Sequence, residues 1–136
     1  SIKINNVTKK VTALGDGLFK KNTTITTVTL PDSLTKIGAS AFEGCTKLTA
    51  LEIPDTVTGI GASAFSGCTS LKMIRIPNGV TSISDNMMKN CRSMKGELYL
   101  PSGLTSVGAG AFQGCTGITK VHVFGYLKKI AQNNNK

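Results

Sequence analysis

One interval governs this chain. Proline stands at Pro31, Pro54, Pro77 and Pro101, spaced 23, 23 and 24 residues apart. Cysteine stands at Cys45, Cys68, Cys91 and Cys115, with the same three spacings. Three apolar series keep the same phase: Phe19, Phe42, Phe65, Met88 and Phe112; Leu14, Ile37, Ile60, Ile83, Val107 and Ile130; Val11, Leu34, Val57, Val80, Leu104 and Leu127. Five series in one register define an internal repeat. A period in this range means stacked structural units, each unable to bury its apolar face alone.

The consensus is L-x-x-I-x-I-P-x-x-V-T-x-I-G-x-x-A-F-x-G-C-T-x, with its best copies at residues 25–47 and 48–70. The L-x-x-I-x-I part is β-branched and alternates at its end, so it predicts a strand. Strands of successive coils then pair in parallel, about 4.8 Å apart, in one sheet. Val28, Leu51, Ile74, Leu98 and Val121 form one expected inward column, and Leu30, Ile53, Ile76, Leu100 and Val123 the next. Proline ends the strand because it has no N–H for the ladder. Asp32, Asp55, Asn78 or Ser102 follows it, which is turn chemistry. V-T-x-I predicts a second short extended segment on another side of the coil. A-F-x-G-C fits a single helical turn facing the core, with Gly44, Gly67, Asn90 and Gly114 as left-handed residues that close it.

The string I-P-x-x-V-T-x-I-G-x-x-A-F-x-G-C-T, carried nearly intact by residues 53–69, resembles the BspA-like (Treponema-type) leucine-rich repeats of microbial surface proteins. The expected fold is therefore an α/β solenoid of about five to six coils. A parallel sheet lines its concave face, and short helical turns or loops line its convex face. The repeats span nearly all of residues 1–136, which are taken as one domain. An atypical coil occupies about 1–24, where Lys21–Asn22 replaces Gly-Cys. Regular repeats occupy about 25–123, and a partial coil occupies 124–136. Departures concentrate between Pro77 and Pro101. Ser84 replaces the glycine, Met87–Met88 replaces Ala-Phe, and an extra residue near Gly96–Glu97 makes the one 24-residue interval. The extra residue predicts a bulge, which marks either a site or drift in one repeat.

Function is sought at the positions the repeat leaves variable. On the expected strands one outward column is Thr29, Glu52, Arg75, Tyr99 and His122, and its neighbour is Thr27, Ala50, Met73, Glu97 and Lys120. Thr29, Glu52, Met73, Arg75, Glu97, Tyr99, Lys120 and His122 are the candidate binding residues. Arginine and tyrosine among them combine area with directed polar groups.

The other candidates have simpler explanations. A disulfide framework, a zinc site or a nucleophile would each use cysteine, but each cysteine occupies one slot beside a core phenylalanine. No C-x-x-C occurs, and His122 is the one histidine. They are expected as reduced core thiols. The net charge of +9 comes from 14 Lys and two Arg against seven carboxylates, spread without a run. Seven aromatics offer no interleaved stacking platform, which argues against nucleic acid. Solvated coil edges with a general attraction to acidic surfaces explain the charge. Gly108-Ala109-Gly110-Ala111-Phe112-Gln113 misses the last glycine of a nucleotide loop, and the repeat explains every residue in it. Asn6-Val7-Thr8 and Asn22-Thr23-Thr24 are N-glycosylation sequons, which short sequences produce often by chance.

No acid/base or nucleophile–base pair emerges, so the chain is expected to be non-catalytic and to need no cofactor or metal. The resemblance implies a secreted or cell-surface module that adheres to an extracellular-matrix, host or partner-cell protein. A glycan-binding module using the same face, with Tyr99 and Tyr126 or Phe124 stacking on sugars, is the alternative. No transmembrane span is expected, since the apolar runs are short. No leader opens the sequence, so a signal peptide is expected to be absent or already removed. The polar end Gln132–Lys136 suits a modest cap, with end-to-end self-association or a longer parent array as the alternatives.

Overall fold

The first corner of each coil follows from its proline. Four such corners close with the same bond, from the N–H three residues later back to the proline carbonyl: Leu34 to Pro31, Val57 to Pro54, Val80 to Pro77 and Leu104 to Pro101, at 3.1–3.2 Å. The ring presets φ for this turn, and the missing N–H ends the strand before it. The computed structural model of the chain describes residues 2–3, 11–122 and 129–130. Val123, Phe124, Tyr126, Leu127, the Asn6 sequon and the polar C-terminal end lie outside the described residues.

Among the described residues eleven short strands, numbered in chain order, run on two sides of the coil. The concave side carries β1 (Ile2–Lys3), β3 (Thr27–Thr29), β5 (Ala50–Leu51), β8 (Gly96–Tyr99) and β10 (Ile118–His122). The V-T-x-I side carries β2 (Ala13–Leu14), β4 (Lys36–Ile37), β6 (Gly59–Ile60), β7 (Ser82–Ile83), β9 (Ser106–Val107) and β11 (Lys129–Ile130). All pairings are parallel and join strands one coil apart, as in Val28 with Leu51 and Ile37 with Ile60. The chain is thus a parallel-strand solenoid.

The convex stretch differs from the expected helical turn. Among the described residues there is no helix. Ala41 N–H donates to Gly38, Glu43 to Ser40 and Cys45 to Phe42, so the segment is a chain of tight turns. Every other N–H points out of the coil and bonds the next one, as in Phe19 to Ala41, Phe42 to Ala64, Phe65 to Met87 and Met88 to Ala111, at 2.8–2.9 Å. These bonds compete with a helix and win, because they extend through every coil. The turns need two left-handed residues per coil. Gly44, Gly67, Asn90 and Gly114 take the foreseen one, with φ of 74, 76, 64 and 79°. Lys21 takes it in the atypical first coil at φ 61°. The second falls to Gly17, Ser40, Ser63, Asn86 and Gly110, with φ of 56–67°.

The core columns lie where the repeat phase puts them. Leu34, Ile37, Phe42, Val57, Phe65 and Leu71 are fully buried. The phenylalanines stack along the solenoid axis, with ring centroids 5.4 Å apart for both Phe19–Phe42 and Phe42–Phe65. The cysteines form a second internal column. Each thiol donates to a carbonyl of the preceding coil: Cys45 to Phe19, Cys68 to Phe42, Cys91 to Phe65 and Cys115 to Met88, at 3.0–3.2 Å. All four are free and buried. Burial pushes every one of these thiols up, Cys68 to about 12. One column member departs: Val121 is 39% exposed, not core. It lies on β10, at the edge of a two-stranded sheet, whereas Leu98 on its partner β8 is buried.

The expected single sheet is instead broken. Strand order is β1-β3-β5 and β8-β10 on the concave side, and β2-β4-β6 and β7-β9-β11 on the other. Both breaks fall at the fourth coil, residues 71–94. The cause on the V-T-x-I side is the Gly→Ser departure. A Cβ on Gly38 would lie 2.7 Å from the Asp16 nitrogen and 2.8 Å from the Gly15 carbonyl carbon. The same crowding holds at Gly61 against Gly38–Ala39 and at Gly108 against Ser84–Asp85. Glycine there lets its N–H reach the preceding coil: Gly38 to Leu14, Gly61 to Ile37, Gly108 to Ile83. Ser84 has a Cβ and stands off, and its hydroxyl bridges to the Ile60 carbonyl at 2.6 Å. On the concave side, Met73–Ile76 joins no ladder. The extra residue is absorbed where Gly96 takes φ 83° and the β8–β10 register shifts between Ile118 and Lys120.

Candidate binding face

The concave face presents what the pleat turns away from the core. In β3 the burial runs exposed, buried, exposed, so Val28 goes inward while Thr27 and Thr29 face out. The same alternation exposes Ala50 and Glu52 around Leu51, and Glu97 and Tyr99 around Leu98. Met73, Arg75 and Lys120 are exposed and His122 is half-buried. All eight candidate residues therefore lie on this face, but the break at the fourth coil sorts them into two patches.

The first patch is a groove of about 700 Å³. Thr27, Thr29, Ala50, Glu52, Met73 and Arg75 line it, together with Asp32 and Asp55. Arg75 does not extend freely into it, because its Nη1 lies 2.7 Å from Asp55 Oδ1. Both groups are well exposed, so this pair orients the guanidinium and contributes little stability.

The second patch is built on β8 and β10. The Tyr99 and His122 rings stack with centroids 4.2 Å apart and planes within 4°. His122 Nε2 lies 2.5 Å from Glu97 Oε1, and the Tyr99 hydroxyl donates to the same oxygen at 3.3 Å. The hydrogen bond from His122 holds the Glu97 carboxyl below its ordinary range, against a smaller opposing effect of desolvation. Parallel pairing of Glu97 with Lys120 and Tyr99 with His122 brings these groups together. Tyr99 is 57% exposed and Met73 49%, so each patch offers one large apolar surface.

Column reasoning placed the eight residues on one face and missed their partners. Asp55 reads as proline-turn chemistry, and Glu97 falls in the other column from His122. Both partners lie about one coil back from the side chain they hold, but at separations of 20 and 25 residues, so the 23-residue interval gives no signal for either. The Asn22 sequon residue is engaged locally, its Oδ1 accepting from the Thr24 N–H and hydroxyl and the Ile25 N–H. Among the described residues no three histidine, cysteine or carboxylate groups cluster as a metal site would require. No described helix is long and apolar enough to cross a membrane.

Comparison with known proteins places this architecture. The profile of the family described as "BspA type Leucine rich repeat region" matches residues 12–134 in six copies. Among solved structures, a T. pallidum leucine-rich repeat protein is similar at 27% identity and TM-score 0.76, over 85% of this chain and 67% of that one. A leucine-rich repeat protein from Bacteroides ovatus is similar at 32% identity and TM-score 0.78, over 89% of this chain and 33% of that one. A leucine rich cell surface protein from Faecalibacterium prausnitzii is similar at 25% identity and TM-score 0.53, over 90% of this chain and 47% of that one. The chain thus spans a third to a half of the latter two. No curated protein is similar in sequence.

Proposed function

The chain belongs to the BspA-type leucine-rich repeat family, and on that premise we propose that it is a non-catalytic protein-binding module of a secreted or cell-surface protein, mediating adhesion to a host or partner protein. Leucine-rich repeat domains are in general protein-interaction scaffolds, and a repeat array provides an extended concave surface for that purpose. The observation that carries the reading is the concave face itself. Its two patches present Glu52, Met73 and the Arg75–Asp55 pair on one side of the break and the Tyr99–His122–Glu97 cluster on the other. Arginine and tyrosine held in place by neighbours lose less freedom on binding, which favours affinity. A surface location draws support from the F. prausnitzii structure, described as a cell surface protein.

The test is an unbiased pull-down from matrix and host-cell extracts. The intact chain is compared with a Glu52→Ala/Arg75→Ala/Tyr99→Ala variant that keeps its circular dichroism. Specific proteins retained by the first and lost by the second support the reading; equal retention by both overturns it. The Tyr99–His122 stack supports one second reading, a glycan laid on the same face. Binding to a glycan array that depends on Tyr99 alone would favour that reading.

A further inference from the structure

A second surface runs along the edge that returns each coil from its convex turns to its concave strand. These returns share one shape. In each, an N–H three residues past the cysteine donates back to the cysteine carbonyl: Leu48 to Cys45, Leu71 to Cys68, Met94 to Cys91 and Ile118 to Cys115, at 3.2–3.4 Å. They also stack in register. Thr49 N–H bonds the Thr26 carbonyl at 2.9 Å, Lys72 N–H bonds Thr49 at 3.2 Å, and the Ser93 hydroxyl bonds Thr69 at 2.6 Å.

Stacking in register aligns charge. Lys72 and Lys95 occupy equivalent places in successive returns, Arg92 shares a return with Lys95, and Lys47 stands one coil earlier. All four are exposed. Residues 45–49, 68–72 and 91–95 contain no carboxylate. Among the described residues the ion pairs are made by Lys20, Arg75 and His122, so these four cations are left unneutralised. Coils advance about 4.8 Å each, which makes the edge a cationic track parallel to the solenoid axis. The acidic Asp32 and Asp55 lie on the opposite border of the concave face, in the proline turns.

The chemistry of the edge narrows its partner. Protein interfaces depend on aromatic or apolar anchors, and single-stranded nucleic acid on stacking rings. Among the described residues the large exposed apolar side chains are Leu18, Met73, Tyr99 and Val121, and none is on this edge. Between the cations stand hydroxyls such as Thr46, Thr69 and Ser70. We infer that this edge binds a linear anionic polysaccharide, whose sulfate or carboxylate groups recur at about the length of one sugar ring, close to the advance of one coil. The track is separate from the concave face and independent of what that face binds.

Binding of the full chain to heparin and to poly(dT) tests this, using two variants that each remove three positive charges. Lys72→Gln/Arg92→Gln/Lys95→Gln acts on the edge, and Lys20→Gln/Lys21→Gln/Lys36→Gln acts elsewhere. At physiological salt the edge variant is expected to lose about tenfold or more in heparin affinity and the control about twofold or less. The Glu52/Arg75/Tyr99 variant is expected to bind heparin unchanged, whether or not it loses its protein partner. Equal losses from the two charge variants would reduce the effect to net charge and overturn the proposal. So would no heparin binding by the parent chain, or edge-dependent binding of poly(dT) as tight as that of heparin.

Discussion

The Ser84 hydroxyl donates to the Ile60 carbonyl at 2.6 Å, in the place where Gly38, Gly61 and Gly108 use their backbone N–H. One side-chain oxygen thus bridges the two halves of the V-T-x-I sheet, β2-β4-β6 and β7-β9-β11. The convex turns meanwhile run through without interruption, from Phe65 N–H to the Met87 carbonyl at 2.9 Å. The solenoid is continuous along its back and jointed along its sheets.

This relationship sets unequal costs at equivalent positions. Gly61→Ala forces a Cβ into the Gly38–Ala39 backbone, and is expected to destabilise by about 2–3 kcal/mol. Ser84→Ala removes only the hydroxyl bond, and is expected to cost about 1 kcal/mol. Urea denaturation of the two variants measures the difference. Equal losses would mean that the glycine slot does not control how closely coils approach.

The thiol column predicts alkaline sensitivity. The Cys68 thiol is pushed from an ordinary 9.0 to about 12 by burial, and the other three move the same way. Above the ordinary value the unfolded chain loses thiol protons that the folded chain keeps, so folding loses stability as pH rises. The contribution is complete below pH 9 and is lost progressively toward pH 12. Thermal melts across this window should fall more steeply for the parent chain than for a Cys68→Ala/Cys91→Ala variant. Iodoacetamide should also label the thiols only after denaturation.

The core was legible because a slot in a stacked coil decides which way a side chain points. Leu34, Val57, Val80 and Leu104 share one slot and are all at most 1% exposed. Slot logic fails where burial needs neighbours on both sides, as at Val121. It also fails where backbone proximity matters, as at Ser84, since a serine in a glycine slot does not reveal how near the previous coil lies. The convex turns are not legible in one copy, because A-F-x-G-C suits a helical turn locally while the bonds between coils do not show there. The face residues were legible by type, but their pairing was not. Arg75 and Asp55 are 20 residues apart and His122 and Glu97 are 25 apart, so neither pair keeps the 23-residue interval.

The Glu97–His122 bond has its own acid signature. The carboxyl of Glu97 is held low chiefly by the hydrogen bond from His122. A depressed carboxyl contributes stability above its unfolded value, and that contribution is lost as pH falls through its folded value. Carbon-detected NMR titration should place Glu97 below the ordinary carboxylate range, and His122→Ala should raise it toward that range. An unchanged Glu97 in that variant would remove the bond from the account of this patch.

The phenylalanine column predicts a gradient of cost along the solenoid. Phe42 is fully buried, and its ring stacks on Phe19 at one side and on Phe65 at the other, each at 5.4 Å. Truncating it removes a buried ring from the middle of the stack and leaves a cavity walled by both neighbours, at a cost of about 3–5 kcal/mol. Phe19 stacks on Phe42 but is only half-buried, so part of its ring already meets water. Phe19→Ala should therefore cost about 1–2 kcal/mol, the smaller transfer term of a partly exposed side chain. Denaturant midpoints of the two variants give the ordering. Equal costs would show that stacking on Phe65 adds nothing to the burial of Phe42, and that the aromatic column is a by-product of the repeat and not a support for it.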